Sequence, residues 1–374
     1  MKIVHVIVGL NVGGAELMLK RLIESHAPLP EVEHSVISLT DLGVIGPQLR
    51  SLGVPVNALG MRSALGIPRV LYLLIRSLYI AKPDIVQTWM YHADLLGGLA
   101  ARMTGVKSVI WGVRTTDLGN GGKKATILIR KICALVSKCL PKVIVCAAEA
   151  SRKAHAAIGY DQERMIVISN GFNLINLHAT FEQRNQVRSI AGIRPDEIVI
   201  GSLGRFNPVK NHTDFIAAAA LLAGKYRDLK FLLVGRGLEC SNEPLMRLLS
   251  STGYADRFVL LGERQDVAAC LKAMDIFCLH SRTEGFPNVL GEAMAMGLPC
   301  VTTDVGDAAY LLNGNGIVVA PQDSQALANG LEEMLNLGAE GRSVLGCSAM
   351  SRIYNDFTIA RASKDYMLLY KQLL

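Results

Sequence analysis

The 374-residue sequence has no Cys-x-x-Cys pair, although it holds eight cysteines. Cys133, Cys139, Cys146, Cys240, Cys270, Cys278, Cys300 and Cys347 are scattered, most of them in apolar runs. That argues against a disulfide framework and for buried free thiols in a reducing compartment. There is no D-x-D pair and no His/Cys/Asp spacing suited to a metal cage. Walker and G-x-S-x-G motifs are also missing, which leaves ATP-driven phosphoryl transfer and serine-triad hydrolysis unsupported. Aromatic residues make up only 6% and are not interleaved with the basic ones, so nucleic-acid binding is the weakest class. No uninterrupted apolar stretch reaches the ~18 residues of a membrane span; Leu71 to Ile80 comes nearest and Arg76 interrupts it. The opening run KIVHVIVGL is short and lacks a small-residue cleavage site. No secretion signal is expected, and the expected location is the cytoplasm.

Half of the residues are hydrophobic and 19% charged, enough for two domains with cores of ordinary size. The net charge of +7 is unevenly placed. Residues 1–180 hold 20 Lys and Arg against 11 Asp and Glu, and the remainder holds 19 against 21. The basic first half suits an acidic surface or an anionic substrate.

Strand and helix patterns alternate along the first half, with strands at residues 3–8, 34–39, 54–58, 85–88, 108–113, 143–147 and 165–168. A second series runs through 198–203, 231–234, 259–261, 276–279, 300–302 and 316–319. The alternation predicts doubly wound, mostly parallel sheets. Residues 174–195 are polar and weakly patterned, which reads as a linker between domains at 1–173 and 196–356. Residues 357–374 read as an amphipathic helix. Between the fifth and sixth strands lies a basic amphipathic segment, 121–142, with Lys123, Lys124, Arg130, Lys131, Lys138 and Lys142. It suits an anionic bilayer surface, or a sheet-flanking helix with a solvated basic face.

The candidate chemistry centres on Ser281 to Asp307. Glu284 falls in the loop after an apolar strand, and Glu292 falls near the start of the next helix. In open α/β sheets the crevice at the carboxyl ends of the strands binds ligands, and a helix N-terminus favours anions. Two carboxylates there would repel phosphate unless they meet hydroxyls, so the ligand carries both phosphate and polyol. Arg205 and Lys210 follow the strand 198–203. A guanidinium fork and a point charge suit a diphosphate, although in isolation such residues are commonly just solvated. The glycine turns Gly13-Gly14 and Gly235-Arg236-Gly237 allow backbone to approach a ligand, or simply pack tightly.

Gly13-Gly14-Ala15-Glu16, Gly204-Arg205 with Lys210, and Glu284-Gly285-Phe286-Pro287 with Glu292-Ala293-Met294-Ala295-x-Gly297-x-Pro299 resemble retaining glycosyltransferases of family 4. The resemblance runs almost end to end. It implies the GT-B fold, two Rossmann-like doubly wound domains facing across a cleft, with residues 357–374 crossing back to the first domain. It implies a nucleotide-sugar donor, UDP-sugar favoured, held mainly by the second domain, with no cofactor and no metal. Arg205 and Lys210 would grip the diphosphate, and Glu284 would meet donor-sugar hydroxyls. The backbone around Phe286, Pro287, Asn288 and Val289 would line the sugar and phosphate. Glu292 would bond the ribose, Gly235 would border the donor, and Arg264 would stand beside the base. Gly13 and Gly14 would close over the diphosphate from the first domain.

Many relatives carry a His at the end of the strand that here ends in Gly112-Val113-Arg114-Thr115. The nearest imidazole is His92, one strand earlier. It is either a capping or core residue or, with Arg114, part of the reacting centre on the acceptor side. The run TW-x-YHADLLGGLAAR with W-G-x-R resembles enzymes of capsule, lipopolysaccharide or other lipid-linked glycan synthesis. The expected reaction moves a hexose or N-acetylhexosamine to an acceptor hydroxyl with retention. Glu284, His92, Arg205 and Lys210 are the expected catalytic set, and the expected location extends to the inner face of the plasma membrane. A nucleotide-sugar epimerase of the same fold and a non-enzymatic sugar-nucleotide-binding protein are the rival readings.

Overall fold

The computed structural model describes residues 1–116 and 124–374. The chain forms two units: Met1–Gly171 with Ile359–Leu374, and Phe172–Thr358.

The first unit is built on seven strands: β1 Lys2–Ile7, β2 Glu33–Ser38, β3 Val56–Ala58, β4 Ile85–Trp89, β5 Ser108–Val113, β6 Val143–Cys146 and β7 Met165–Val167. They pair in the order β3-β2-β1-β4-β5-β6-β7, every pair parallel. Near-continuous apolar strands are what a sheet covered on both faces requires. One face is covered by α3 Ile67–Ala81, α4 Tyr91–Met103 and α5 Lys124–Val136, the other by α1 Gly14–His26, α2 Ile45–Ser51 and α15 Ile359–Leu373. The helix α6 Glu149–Ala157 joins β6 to β7. Residues 121–123 of the expected basic helix, Lys123 among them, lie outside the described residues.

The second unit has six parallel strands: β8 Ile198–Leu203, β9 Leu229–Val234, β10 Phe258–Leu260, β11 Ile276–Leu279, β12 Cys300–Thr303 and β13 Ile317–Val319, in the order β10-β9-β8-β11-β12-β13. Its helices are α7 Phe181–Ile190, α8 His212–Ala223, α9 Glu243–Ser250, α10 Val267–Lys272, α11 Asn288–Ala295, α12 Ala308–Leu312, α13 Ser324–Asn336 and α14 Gly338–Asp356.

Three expectations need correction. Residues 174–195 are not a plain linker. They contain α7, whose start is closed by a capping box of Thr180 and Gln183 and whose Arg184 and Arg188 share Asp275. Charged residues that look unpatterned in sequence are here buying a buried ion cluster, with Arg188 only 5% exposed at its side chain. The tail is divided as well: Phe357 and Thr358 belong to the second unit, and α15 begins at Ile359. All eight cysteines are free among the described residues, but Cys139, Cys240 and Cys347 are exposed rather than buried.

The first core hides a histidine chain that the sequence did not reveal. Trp89 Nε1 lies 3.3 Å from His5 Nδ1, His5 Nε2 lies 2.9 Å from His34 Nδ1, and His34 Nε2 lies 3.0 Å from His26 Nδ1. An indole N–H can only donate. His5 Nδ1 therefore accepts, His5 Nε2 carries its proton, and the same tautomer passes along to His34 and His26. Burial, helped by mutual repulsion, pushes His5 well below the ordinary imidazole range and His34 down to about 3. His155, also in this unit, is pushed down to about 4 by burial.

A base whose folded pKa is depressed is protonated preferentially in the unfolded chain. Stability is then lost as pH falls below the unfolded value near 6.5, at roughly 1.4 kcal/mol per pH unit per histidine. Asp94, raised to about 7 by burial, works in the opposite sense and offsets about one of them. From pH 6.5 to 5, His5, His34 and His155 less Asp94 should cost the first unit about 4 kcal/mol. Calorimetry across that range should show its melting temperature falling steeply. A flat or rising profile would refute the neutral histidine chain.

Candidate active site

In each sheet the strand order reverses once, between β1 and β4 and between β8 and β11. Loops leaving the carboxyl ends on either side of such a reversal diverge and leave a crevice.

In the second unit that crevice is flanked by Lys210, after β8, and Glu284, after β11. Lys210 Nζ lies 2.5 Å from Glu284 Oε1, and Ser281 Oγ donates to the same oxygen at 2.7 Å. The two side chains are 24% and 14% exposed, so the pair is largely withdrawn from water and less screened than a surface bridge. The Lys210 loop is fixed locally. Asn207 Oδ1 accepts from Val209 N at 2.9 Å, and Asn211 ends the turn at φ 56°. Arg282 N donates to Val209 O at 2.8 Å and so ties the β8 loop to the β11 loop. The Lys210 stem runs beside Gly204. Gly235, at φ 144°, closes against the same place: a Cβ there would stand 2.1 Å from Gly204 O. Arg205 is exposed and has no ion-pair partner among the described residues.

The β11 loop leads into α11. Pro287 is its N-cap residue, Asn288 and Val289 open it, and Glu292 follows half-buried. Phe286 is buried, its ring 6.1 Å from that of Phe172 and 5.8 Å from that of Phe357. The Phe286 side chain is therefore an anchor, and only its backbone faces the loop. Gly291 is dictated by the same cluster, because a Cβ would fall 2.1 Å from the Phe172 ring. Arg264 stands after the edge strand β10 and forks onto Asp266 at 2.8 and 2.6 Å. Its guanidinium is committed locally, away from the Lys210–Glu284 pair.

In the first unit the corresponding loops carry Gly13-Gly14, after β1, and His92, after β4. Gly13 is extended and α1 starts at Gly14. Met90, between β4 and α4, has φ 75° and ψ 154°, a conformation that costs an L-residue with a side chain on the order of 1–3 kcal/mol. Strain of that kind persists where the surroundings enforce it, and here it aims the first turn of α4. Burial lowers the pKa of His92, which keeps its imidazole neutral. Beneath it Asp94 is fully buried, accepting from Thr88 Oγ1 at 2.5 Å and Gly112 N at 3.2 Å. Asp94 thereby clamps the ends of β4 and β5 to α4. It stands inside the run TW-x-YHADLLGGLAAR, but nothing in the sequence gave it a role apart from that resemblance.

Arg114, expected on the acceptor side, has three partners within the first unit. It donates to Asn170 Oδ1 at 3.0 Å and to the Tyr366 hydroxyl, and its guanidinium lies 4.4 Å from the centre of the Trp89 ring. That geometry makes it a clasp holding α15 to the sheet. Among the described residues no group of three His, Cys, Asp or Glu is arranged to hold a metal ion.

With this geometry in hand, residues 12–175 match the family model described as Glycosyltransferase Family 4, and residues 197–337 match the one described as Glycosyl transferases group 1. The chain is a family 4 glycosyltransferase. It is 27% identical over 305 residues to the Escherichia coli UDP-Gal:alpha-D-GlcNAc-diphosphoundecaprenol alpha-1,3-galactosyltransferase, covering 80% of this chain and 77% of that one. It is 26% identical over 294 residues to the Staphylococcus aureus capsular polysaccharide biosynthesis glycosyltransferase CapM, covering 74% of this chain and 73% of that one. Among solved structures, Anabaena HepE in complex with UDP superposes with a TM-score of 0.87 at 21% identity, covering 100% of both chains. Two parallel-sheet units with these neighbours make the architecture of this glycosyltransferase GT-B. The epimerase reading gains no support from transferase relatives.

Proposed function

We propose that this glycosyltransferase moves a hexose or N-acetylhexosamine from a UDP-sugar to a hydroxyl of a lipid-linked glycan intermediate in polysaccharide synthesis, with retention at the anomeric carbon and without a metal. The observation that carries the reading is the Lys210–Glu284 pair at the sheet reversal of the second unit, with Arg205 on the same loop. Glu284, already an acceptor from Ser281 and Lys210, suits donor-sugar hydroxyls. Arg205 and Lys210 supply the positive charge that a departing diphosphate develops against. The relatives favour the same chemistry: the Escherichia coli enzyme is named for UDP-galactose and a diphosphoundecaprenol acceptor, and HepE has been crystallised with UDP-glucose.

Retaining glycosidases use a carboxylate nucleophile. Glu284 is held by two hydrogen-bond donors, so attack by the acceptor on the face from which the diphosphate leaves fits better, with a donor phosphate oxygen taking the acceptor proton. His92 is a neutral imidazole in the other unit and is assigned to the acceptor side. We assign the enzyme to the cytoplasm, on the inner face of the plasma membrane.

A thermal-shift screen against UDP-, GDP- and ADP-sugars tests the donor, because a bound donor raises stability by mass action. UDP-sugars should give the largest shift. Proton NMR of the product should show an axial anomeric linkage from an axial donor, and EDTA should leave the rate unchanged. An inverted product or an EDTA-sensitive rate would overturn the corresponding part of the reading.

A further inference from the structure

Helices α3, α4 and α5 form one layer over one face of the first sheet, with α4 packed between the other two. The outer surface of that layer is unusual in two respects. Leu65, Arg69, Tyr72, Arg76 and Tyr79 recur at helical spacing along α3 and the turn that leads into it, all of them exposed. On α5 and the turn that follows it, Lys124, Leu128, Lys131, Leu135 and Lys138 recur in the same way, with Leu135 80% exposed. Each stripe alternates cations with large apolar groups. The three helices contain a single acidic residue, Asp94, and it is buried. None of Arg69, Arg76, Lys131 and Lys138 has an ion-pair partner among the described residues.

By length and composition Ala64–Ala81 is apolar enough to cross a membrane, but Val70, Leu74 and Leu78 are buried in the core of the unit. A helix pinned to a sheet along one side lies flat, and it offers a bilayer only its other side. Tyrosines at that level suit the boundary between headgroups and acyl chains. Arginines and lysines between them suit anionic headgroups, while their stems cover apolar surface. A second copy of the same face would bring cation against cation.

We propose that the first unit docks on an anionic bilayer through α3 and α5 together, with the α3 tyrosines and Leu65 entering the interface and both stripes reading the charge. This goes beyond the expected role of 121–142 by making α3 an equal partner, and it is independent of the donor and of the transfer chemistry.

Flotation of the full chain with vesicles of phosphatidylcholine and phosphatidylglycerol tests it, with phosphatidylcholine alone and added salt as the other arms. Binding should require the anionic lipid and fall with salt. The triple change L65S/Y72S/Y79S should weaken the partition at least about tenfold. The triple change K124Q/K131Q/K138Q should weaken it on the order of 100-fold at low salt. Melting curves and the donor-induced shift of both variants should match the parent, which separates lost docking from misfolding and from failure of the donor reading. Equal binding to neutral vesicles, or an α3 variant that binds like the parent, would overturn the two-helix surface. So would a face covered instead by a second copy, seen as a dimer that the α3 changes dissociate.

Discussion

Lys210→Ala should lower kcat by roughly 10²–10³ with a smaller change in KM, because a fixed cation facing charge that grows only in the transition state contributes about 3–4 kcal/mol there. The geometry sharpens the expectation. Lys210 and Glu284 are 2.5 Å apart, so neither acts alone: removing the ammonium leaves a half-buried carboxylate facing the diphosphate, which adds repulsion to the lost attraction. Glu284→Gln should also lower kcat, by less, since the amide still offers an oxygen to Ser281 and a sugar hydroxyl. The double variant Lys210→Ala/Glu284→Gln should be little worse than Lys210→Ala, as residues that act as a unit are strongly non-additive. Steady-state kinetics on the four forms, with far-UV circular dichroism to check folding, decides it. Simple additivity, or full activity in Lys210→Ala, would remove the pair from the mechanism.

Truncation before Ile359 should abolish folding of the first unit. Tyr366 and Tyr370 are fully buried there and Leu369 nearly so, in one core with Met18, Leu19 and Leu22 of α1. Arg114 and Asn170 are joined to the helix through the Tyr366 hydroxyl, Tyr370 donates to Gln87, and Ser108 Oγ donates to Leu373 O at 2.7 Å. Losing two large aromatic side chains alone costs on the order of 6–10 kcal/mol, comparable to the 5–15 kcal/mol that holds an ordinary domain together. Hydrogen exchange should show protection gone across β1, β4 and β5 while the second unit keeps its own. Tyr366→Phe, which removes only the hydroxyl, should cost about 1 kcal/mol, because it takes away the partner of a half-buried guanidinium donor. Undiminished protection in the truncated chain would show that α15 is dispensable.

Much of this protein can be read from its sequence, and the reasons are local. Buried parallel strands must be apolar on both faces, so runs such as Ile3–Ile7 and Ile276–Leu279 stand out, and the β-α alternation forces parallel sheets. The run from Glu284 to Pro299 is legible because close packing requires its glycines and Phe286 where they stand. Residues 174–195 were not legible, because α7 is held by ion pairs to Asp275, nearly a hundred positions away. The partners of Arg114 were not legible for a similar reason, because Trp89, Asn170 and Tyr366 come from three separate segments.

The sequence by itself determined the fold class, the family and the carboxyl-end loops that bear Arg205, Lys210, Glu284 and Glu292, since each depends on short spacings and on patterns of two or 3.6 residues. Only the tertiary structure decided that Lys210 pairs with Glu284, that Asp94 and a hydrogen-bonded histidine chain are enclosed in the first unit, that Arg114 clasps α15, and that α3 and α5 share one acid-free face. Those facts depend on which strands are neighbours and which helices share a side of the sheet, and chain order does not carry that information locally.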